Sequence, residues 1–198
     1  MQREQAVAVW VGTRKIKHLT LAAKSAARTG HPLPRKTRGM GMDITWLTDR
    51  IAVGGGIWNA GNMAAVARAG ITHIIDMQLE FDDTPLADGH GIEVLWNPTD
   101  DDFEPKPPEL FRCGVNFAQA ALAADESKLF IHCAAGVHRA PMMALALLGS
   151  MGWDLEEAMQ LIESRRAVAD FAEVYVRSVE NFLAGRDQNP HSSHKERG

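Results

Sequence analysis

The chain has 198 residues and a mass of 21.7 kDa, enough for one well-buried domain and too few for two generous ones. Its 45% hydrophobic and 23% charged residues exclude wholesale disorder, and no apolar run reaches the ~18–20 residues that a membrane-spanning helix needs. The net charge of −4 hides an asymmetry: nine Lys and Arg against the single acid Glu4 leave residues 1–40 near +8, so the remainder carries about −12.

In chain order, residues 1–40 form a basic arm suited to an acidic partner or to its own acidic body. Trp10 is its only aromatic residue, so no nucleic-acid partner is expected. The apolar run Ala6–Val11 follows Arg3 and Glu4 without a small-residue cleavage site after it, which argues against a secretory leader. His31-Pro32-Leu33-Pro34-Arg35 breaks any preceding helix. Arg50-Ile51-Ala52-Val53 reads as a short strand running into Gly54-Gly55-Gly56. Asn59 caps a helix to Ala69 that Gly70 ends. Ile71–Met77 and Ile92–Trp96 are β-branched and apolar and read as buried strands. Pro107-Pro108-Glu109 opens a helix to about Ala124, with Cys113 expected in the core. Lys128–His132 is another buried strand. A helix from about Pro141 to Met151 stops at Gly152, and Asp154 with Glu157 opens the next, carrying Ala158, Leu161 and Ile162. Phe171–Leu183 is the last helix, and the polar tail from Arg186 to Gly198 is expected to fray. Strands alternating with helices predict an α/β domain with a largely parallel sheet covered on both faces, over about residues 41–185. Two cysteines cannot make a disulfide framework, which favours a reducing, cytoplasmic setting. A Cys113–Cys133 pair is the less favoured alternative.

One stretch carries chemistry: Phe130-Ile131-His132-Cys133-Ala134-Ala135-Gly136-Val137-His138-Arg139-Ala140-Pro141. A hydrophobic strand runs into a cysteine, five residues lead to an arginine, and a helix follows. Backbone amides of such a loop turn inward as an anion nest, reinforced by the helix N-terminus. Gly136 supplies the backbone freedom the cradle needs. Cys133 at its base sits in a positive field that favours the thiolate. Arg139 closes the ring with a planar fork suited to two phosphate oxygens. A thiolate beneath a captured phosphoryl group is an in-line nucleophile.

The segment resembles the signature of the cysteine-based protein phosphatases, in particular the dual-specificity branch: His-Cys, five residues, Arg. Here it reads HCAAGVHRA, and the resemblance extends over about residues 43–183. It includes Ile44…Ile51-Ala52-Val53-Gly54-Gly55 and the Gly70–Asp76 strand. The resemblance implies a mixed, mostly parallel sheet of four or five strands flanked by helices, without cofactor or metal. It also implies hydrolysis of phosphate monoesters on proteins, at phosphotyrosine and at phosphoserine or phosphothreonine, through a phosphocysteine. Cys133 is then the nucleophile, His132 orients the loop, and Ala134, Ala135, Gly136, Val137, His138 and Arg139 cradle the phosphate. His138 is read equally as a rim group or a solvated one.

The family uses an aspartic acid on the loop after the preceding strand to protonate the leaving oxygen. Asp100, Asp101 and Asp102 follow Ile92–Trp96, and the family spacing of ten residues before an aromatic ranks Asp101 first, ahead of Phe111, then Asp102, then Asp100. Ala140 departs from the pattern, which has Ser or Thr there. Losing one hydrogen bond to a departing thiolate costs about 1.5–3 kcal/mol, so a slow second step is expected. The loop lacks the Lys or Arg that polyphosphorylated head groups need. Alternatives are a glucan or small-molecule phosphatase, a phosphate-ester binding module suggested by Ala140, and a rhodanese-like sulfur carrier, which fits Arg139 and the acidic loop less well.

Overall fold

The computed structural model describes residues 41–187; the basic arm, its Pro-rich break and residues 188–198 of the tail lie outside them. Four short apolar runs pair side by side in the order β2 (Ile51–Gly54), β5 (Leu129–His132), β3 (His73–Asp76) and β4 (Glu93–Trp96), all parallel. β1 (Ile44–Trp46) adds an antiparallel edge beside β2. The sheet is therefore mixed, mostly parallel and five-stranded, as expected. β1 was legible only through the family resemblance, because three residues carry no periodicity of their own.

Alternation along the strands splits the core into two layers. Val53, Ile75 and Ile131 face one side, packed beneath α2 (Pro108–Leu122), α3 (Arg139–Ser150), α4 (Leu155–Arg165) and α5 (Glu173–Asp187). Ala52, Ile74 and Phe130 face the other, beneath α1 (Ala60–Arg68) and a 3₁₀ turn at Thr84–Ala87. The caps follow the sequence: Asn59 accepts the Asn62 N–H and Asp154 accepts from Glu156 and Glu157. α3 begins at Arg139, and every residue from there to Leu148 is buried, so this helix is wedged through the thick layer and its N-terminus is fixed. Among the described residues no helix is long and apolar enough to cross a membrane.

Three expectations need correction. β4 is an edge strand with exposed ends rather than a buried one, and Trp96 is 44% exposed; among the described residues no strand pairs beyond it. Cys113 lies on the outer face of α2 and is exposed, and both cysteines are free, so neither core packing nor a disulfide accounts for it. α5 runs on to Asp187, past the point where the tail was expected to fray.

Phe130 ties the thin layer to the site, since its ring lies 2.8 Å from where a side chain on Gly54 would begin. Phe130→Ala is expected to lower stability by about 3–5 kcal/mol in urea denaturation. A loss below about 1 kcal/mol would mean the layer collapses around the gap.

Candidate active site

β5 is the central strand, flanked by β2 and β3, and its C-terminal end carries the loop from Cys133 to Arg139. Four successive carbonyl oxygens of that loop are bonded from outside. Gly56 N–H donates to Ala134 O at 3.0 Å and Asp170 N–H to Val137 O at 2.9 Å. Arg166 donates from Nη2 to Ala135 O at 3.1 Å and from Nε to Gly136 O at 2.6 Å. A trans peptide is planar, so carbonyls turned outward turn the amides of Ala135, Gly136, Val137 and His138 inward. The Gly136 N–H lies 3.2 Å from Cys133 Sγ. Gly136 has φ +64°, and a Cβ there would stand 2.5 Å from Gly54 O, so the turn admits only glycine.

Arg166 is itself buried and held by Asp43 through Nη1–Oδ1 (3.1 Å) and Nη2–Oδ2 (2.7 Å), with Thr45 Oγ1 at 3.1 Å. Residues before β1 and at the end of α4 thus clamp the loop from behind.

The second wall comes from the loop after β3. Glu80 accepts from Arg139 Nη1 and Nη2, both at 2.8 Å, and Nη1 also reaches Thr99 O at 3.1 Å. The guanidinium holds the Glu80 carboxyl down to about 2. For Arg139, burial works against its charge, but the Glu80 bonds and the nearby Cys133 outweigh it and push its pKa up. Arg139 Nε is buried without a hydrogen-bond partner and lies 3.7 Å from Asp101 Oδ2.

Of the three loop acids, Asp101 alone reaches the loop. Its Oδ1 accepts the Tyr175 hydroxyl at 3.1 Å and its Oδ2 lies 3.1 Å from His138 Nδ1. Asp102 is bonded to Lys106 and the Glu104 N–H, and the Lys106 bond first of all holds its carboxyl below the usual range. Asp100 accepts from the Asp101 N–H in a local turn. Phe103, with φ +57°, is held by the Tyr175 hydroxyl, which accepts its N–H at 3.0 Å. Burial chiefly pushes the Tyr175 phenol up to about 12, so it stays a donor to Asp101.

Next to Cys133, His132 is fully buried with Asp76 and Asp83. His132 Nε2 lies 2.9 Å from Asp83 Oδ2, off the line of a hydrogen bond, and 3.8 Å from Asp76 Oδ1. The three offer ligand atoms within 4.8 Å of one another, a donor set that fits a shared-proton network as well as a cation. Ala140, in the first turn of α3, is fully buried and brings no hydroxyl.

Sequence reading brought Cys133, Arg139, His132 and Asp101 to one place but missed Asp43, Arg166, Glu80, Asp76, Asp83, Tyr175 and Asp170. For Glu80 and Asp83 a signal existed: they follow the carboxyl end of a parallel strand, where α/β proteins build their sites. Arg166 and Asp43 sit 123 residues apart, and no local pattern links them.

The family model described as "Dual specificity phosphatase, catalytic domain" matches residues 57–182. The chain belongs to this family, and its folded domain is that of a cysteine-based phosphatase. No curated protein matches the chain. PTPMT1 in complex with PI(5)P is similar with a TM-score of 0.66 at 19% identity, over 74% of this chain and 98% of that one. Tk-PTP in its active form gives 0.63 at 20%, over 72% and 97%. Human DUSP28 gives 0.62 at 19%, over 79% and 98%. These likenesses establish the fold.

Burial raises Asp76 from its ordinary 3.8 to about 7; Asp83 adds to the rise and His132 opposes it. The fold favours the neutral acid, so this contribution to stability is complete below the unfolded pKa and is lost as pH rises through about 7. Asp76→Asn, fixed in the neutral shape, is expected to flatten that loss. Urea midpoints at pH about 5 and about 8 check it, and equal slopes for both proteins would refute it.

Proposed function

We propose that this phosphatase removes phosphate from proteins, at phosphotyrosine and at phosphoserine and phosphothreonine, through a phosphocysteine on Cys133. The observation that carries this reading is the loop whose four carbonyls are bonded from outside and whose Gly136 N–H meets Cys133 Sγ, with the Arg139 guanidinium at its far end. Such a loop suits a tetrahedral dianion lowered onto the sulfur, with the amides and the guanidinium taking its non-bridging oxygens.

In the first step the Cys133 thiolate attacks phosphorus in line, the S–P bond forms and the ester P–O bond breaks. Asp101 gives its proton to the departing oxygen. In the second step Asp101, now a carboxylate, takes a proton from water as that water attacks phosphorus, and Cys133 leaves as a thiolate. Arg139 stays paired with Glu80 through both steps, so the guanidinium is pre-oriented and does not reorganise.

A protein substrate is favoured by the loop and its rim. Ala134, Ala135, Val137 and His138 bring no fixed cation for a second phosphate. Trp58, Phe81 and Phe103 are exposed beside the loop, an apolar rim that suits the flanks of a phosphorylated peptide. The acidic partner for the basic arm belongs to the same proposal, as does a reducing, cytoplasmic setting for its free thiols.

Cys133→Ser is expected to bind a phosphopeptide and release no phosphate; measurable turnover would end the nucleophile assignment. Ala140→Ser restores a donor to the leaving thiolate, and the missing bond is worth about 1.5–3 kcal/mol, or about one to two decades of rate. Rapid-quench kinetics should show the wild type accumulating phosphocysteine in a burst that Ala140→Ser shortens. Tight ester binding with no burst in the wild type would instead favour a binding module.

A further inference from the structure

We propose that His138 is a positioning residue for the proton donor: its imidazole shares with Asp101 the proton that the departing oxygen takes up, and Asp170 sets the tautomer that allows this. The proposal rests on Asp101 being the general acid.

The ring is held at both nitrogens. Nδ1 lies 3.1 Å from Asp101 Oδ2 and Nε2 lies 3.2 Å from Asp170 Oδ2. The His138 side chain is itself only 19% exposed, so both nitrogens are matched to carboxylates rather than left to solvent. Asp170 is anchored to the same loop, since its own N–H donates to Val137 O at 2.9 Å. An ionised carboxylate only accepts, so Nε2 carries a hydrogen towards Asp170. Nδ1 and Asp101 Oδ2, 3.1 Å apart, then share one proton between them. Tyr175 donates to the other oxygen, Oδ1, which leaves Oδ2 as the oxygen that shares it. Edge contact with the Phe103 ring, centroids 5.1 Å apart, fixes the imidazole plane. Arg139 Nε, 3.7 Å from the same Oδ2, places that oxygen next to the trapped ester.

The proton thus waits between Oδ2 and Nδ1. As the P–O bond breaks it passes from Oδ2 to the leaving oxygen, and Asp101 remains a carboxylate. When water attacks the phosphocysteine its proton returns to Oδ2 and the pair is reset. His138 gains and loses nothing over the cycle; it holds the acid in place and keeps its proton aimed.

The test is kcat/KM for aryl phosphates of graded leaving-group acidity, from p-nitrophenyl to phenyl phosphate, with Asp101→Asn and Cys133→Ser measured alongside. His138→Ala is expected to lower the rate about tenfold more for phenyl phosphate than for p-nitrophenyl phosphate, part of the roughly 10²–10⁴ that a general acid supplies. His138→Asn, whose amide oxygen can accept where Nδ1 did, should recover most of that loss. In the Asp101→Asn background His138→Ala should add nothing. A uniform loss across leaving groups would make His138 merely structural and overturn the proposal. Steeper leaving-group dependence from His138→Ala on top of Asp101→Asn would make His138 the donor itself and overturn it as well. If Asp101→Asn slows all esters equally, the acid assignment fails and takes the proposal with it; if Cys133→Ser turns over, the phosphatase reading itself fails.

Discussion

The chemistry depends on which way four peptide planes face. From Ala134 to Val137 each carbonyl is taken from outside the loop, and each bond made outside frees an amide inside. The largest contributor is Arg166, which bonds two of those oxygens and the Asp43 carboxylate. A buried guanidinium is tolerable only with its charge answered, so the loop's shape is linked to Asp43, ahead of the first strand. An anion cradle made of small side chains is held open by an ion pair that never touches the anion.

Topology explains why these partners converge. β5 is the central strand, and the segments leaving β2 and β3 both emerge beside its end. The β2 exit contributes the Gly56 amide, and Gly54 lets β1 approach, since a Cβ there would fall 1.8 Å from Asp43 O. The β3 exit reaches the loop twice, through Asp83 near His132 and through Glu80 on Arg139. His132 and Arg139, at the two ends of the loop, are thus approached from the same seven-residue stretch, from Met77 to Asp83.

What the sequence made legible follows from locality. Strand, glycine-bearing loop and helix are contiguous from Phe130 to Pro141, so the cradle and its two reactive residues could be read directly. The acid loop lay next to a recognisable strand, and the ranking of Asp101 above its neighbours rested on family spacing. What escaped was long-range. Asp102 differs from Asp101 because Lys106 folds back onto it, and Asp101 meets Tyr175, 74 residues away, across the acid loop. Cys113 misled because α2 carries a broad apolar face, and this residue at its margin turns outward and is exposed. β4 misled because an apolar run says nothing about whether a neighbour will pair beyond it.

The charge balance within the site shows where its affinity comes from. Glu80 is held down to about 2, so it is ionised at every physiological pH and answers Arg139 before any substrate arrives. The guanidinium therefore contributes direction more than net charge: two nitrogens are occupied by Glu80 and the third lies beside Asp101. Attraction for a phosphate dianion then falls on the amide ring and the N-terminus of α3, whose partial charges need no counter-ion and cannot be titrated away. A cradle of that kind draws on fixed backbone dipoles rather than on side-chain cations, since Ala134, Ala135, Val137 and His138 carry no fixed positive charge.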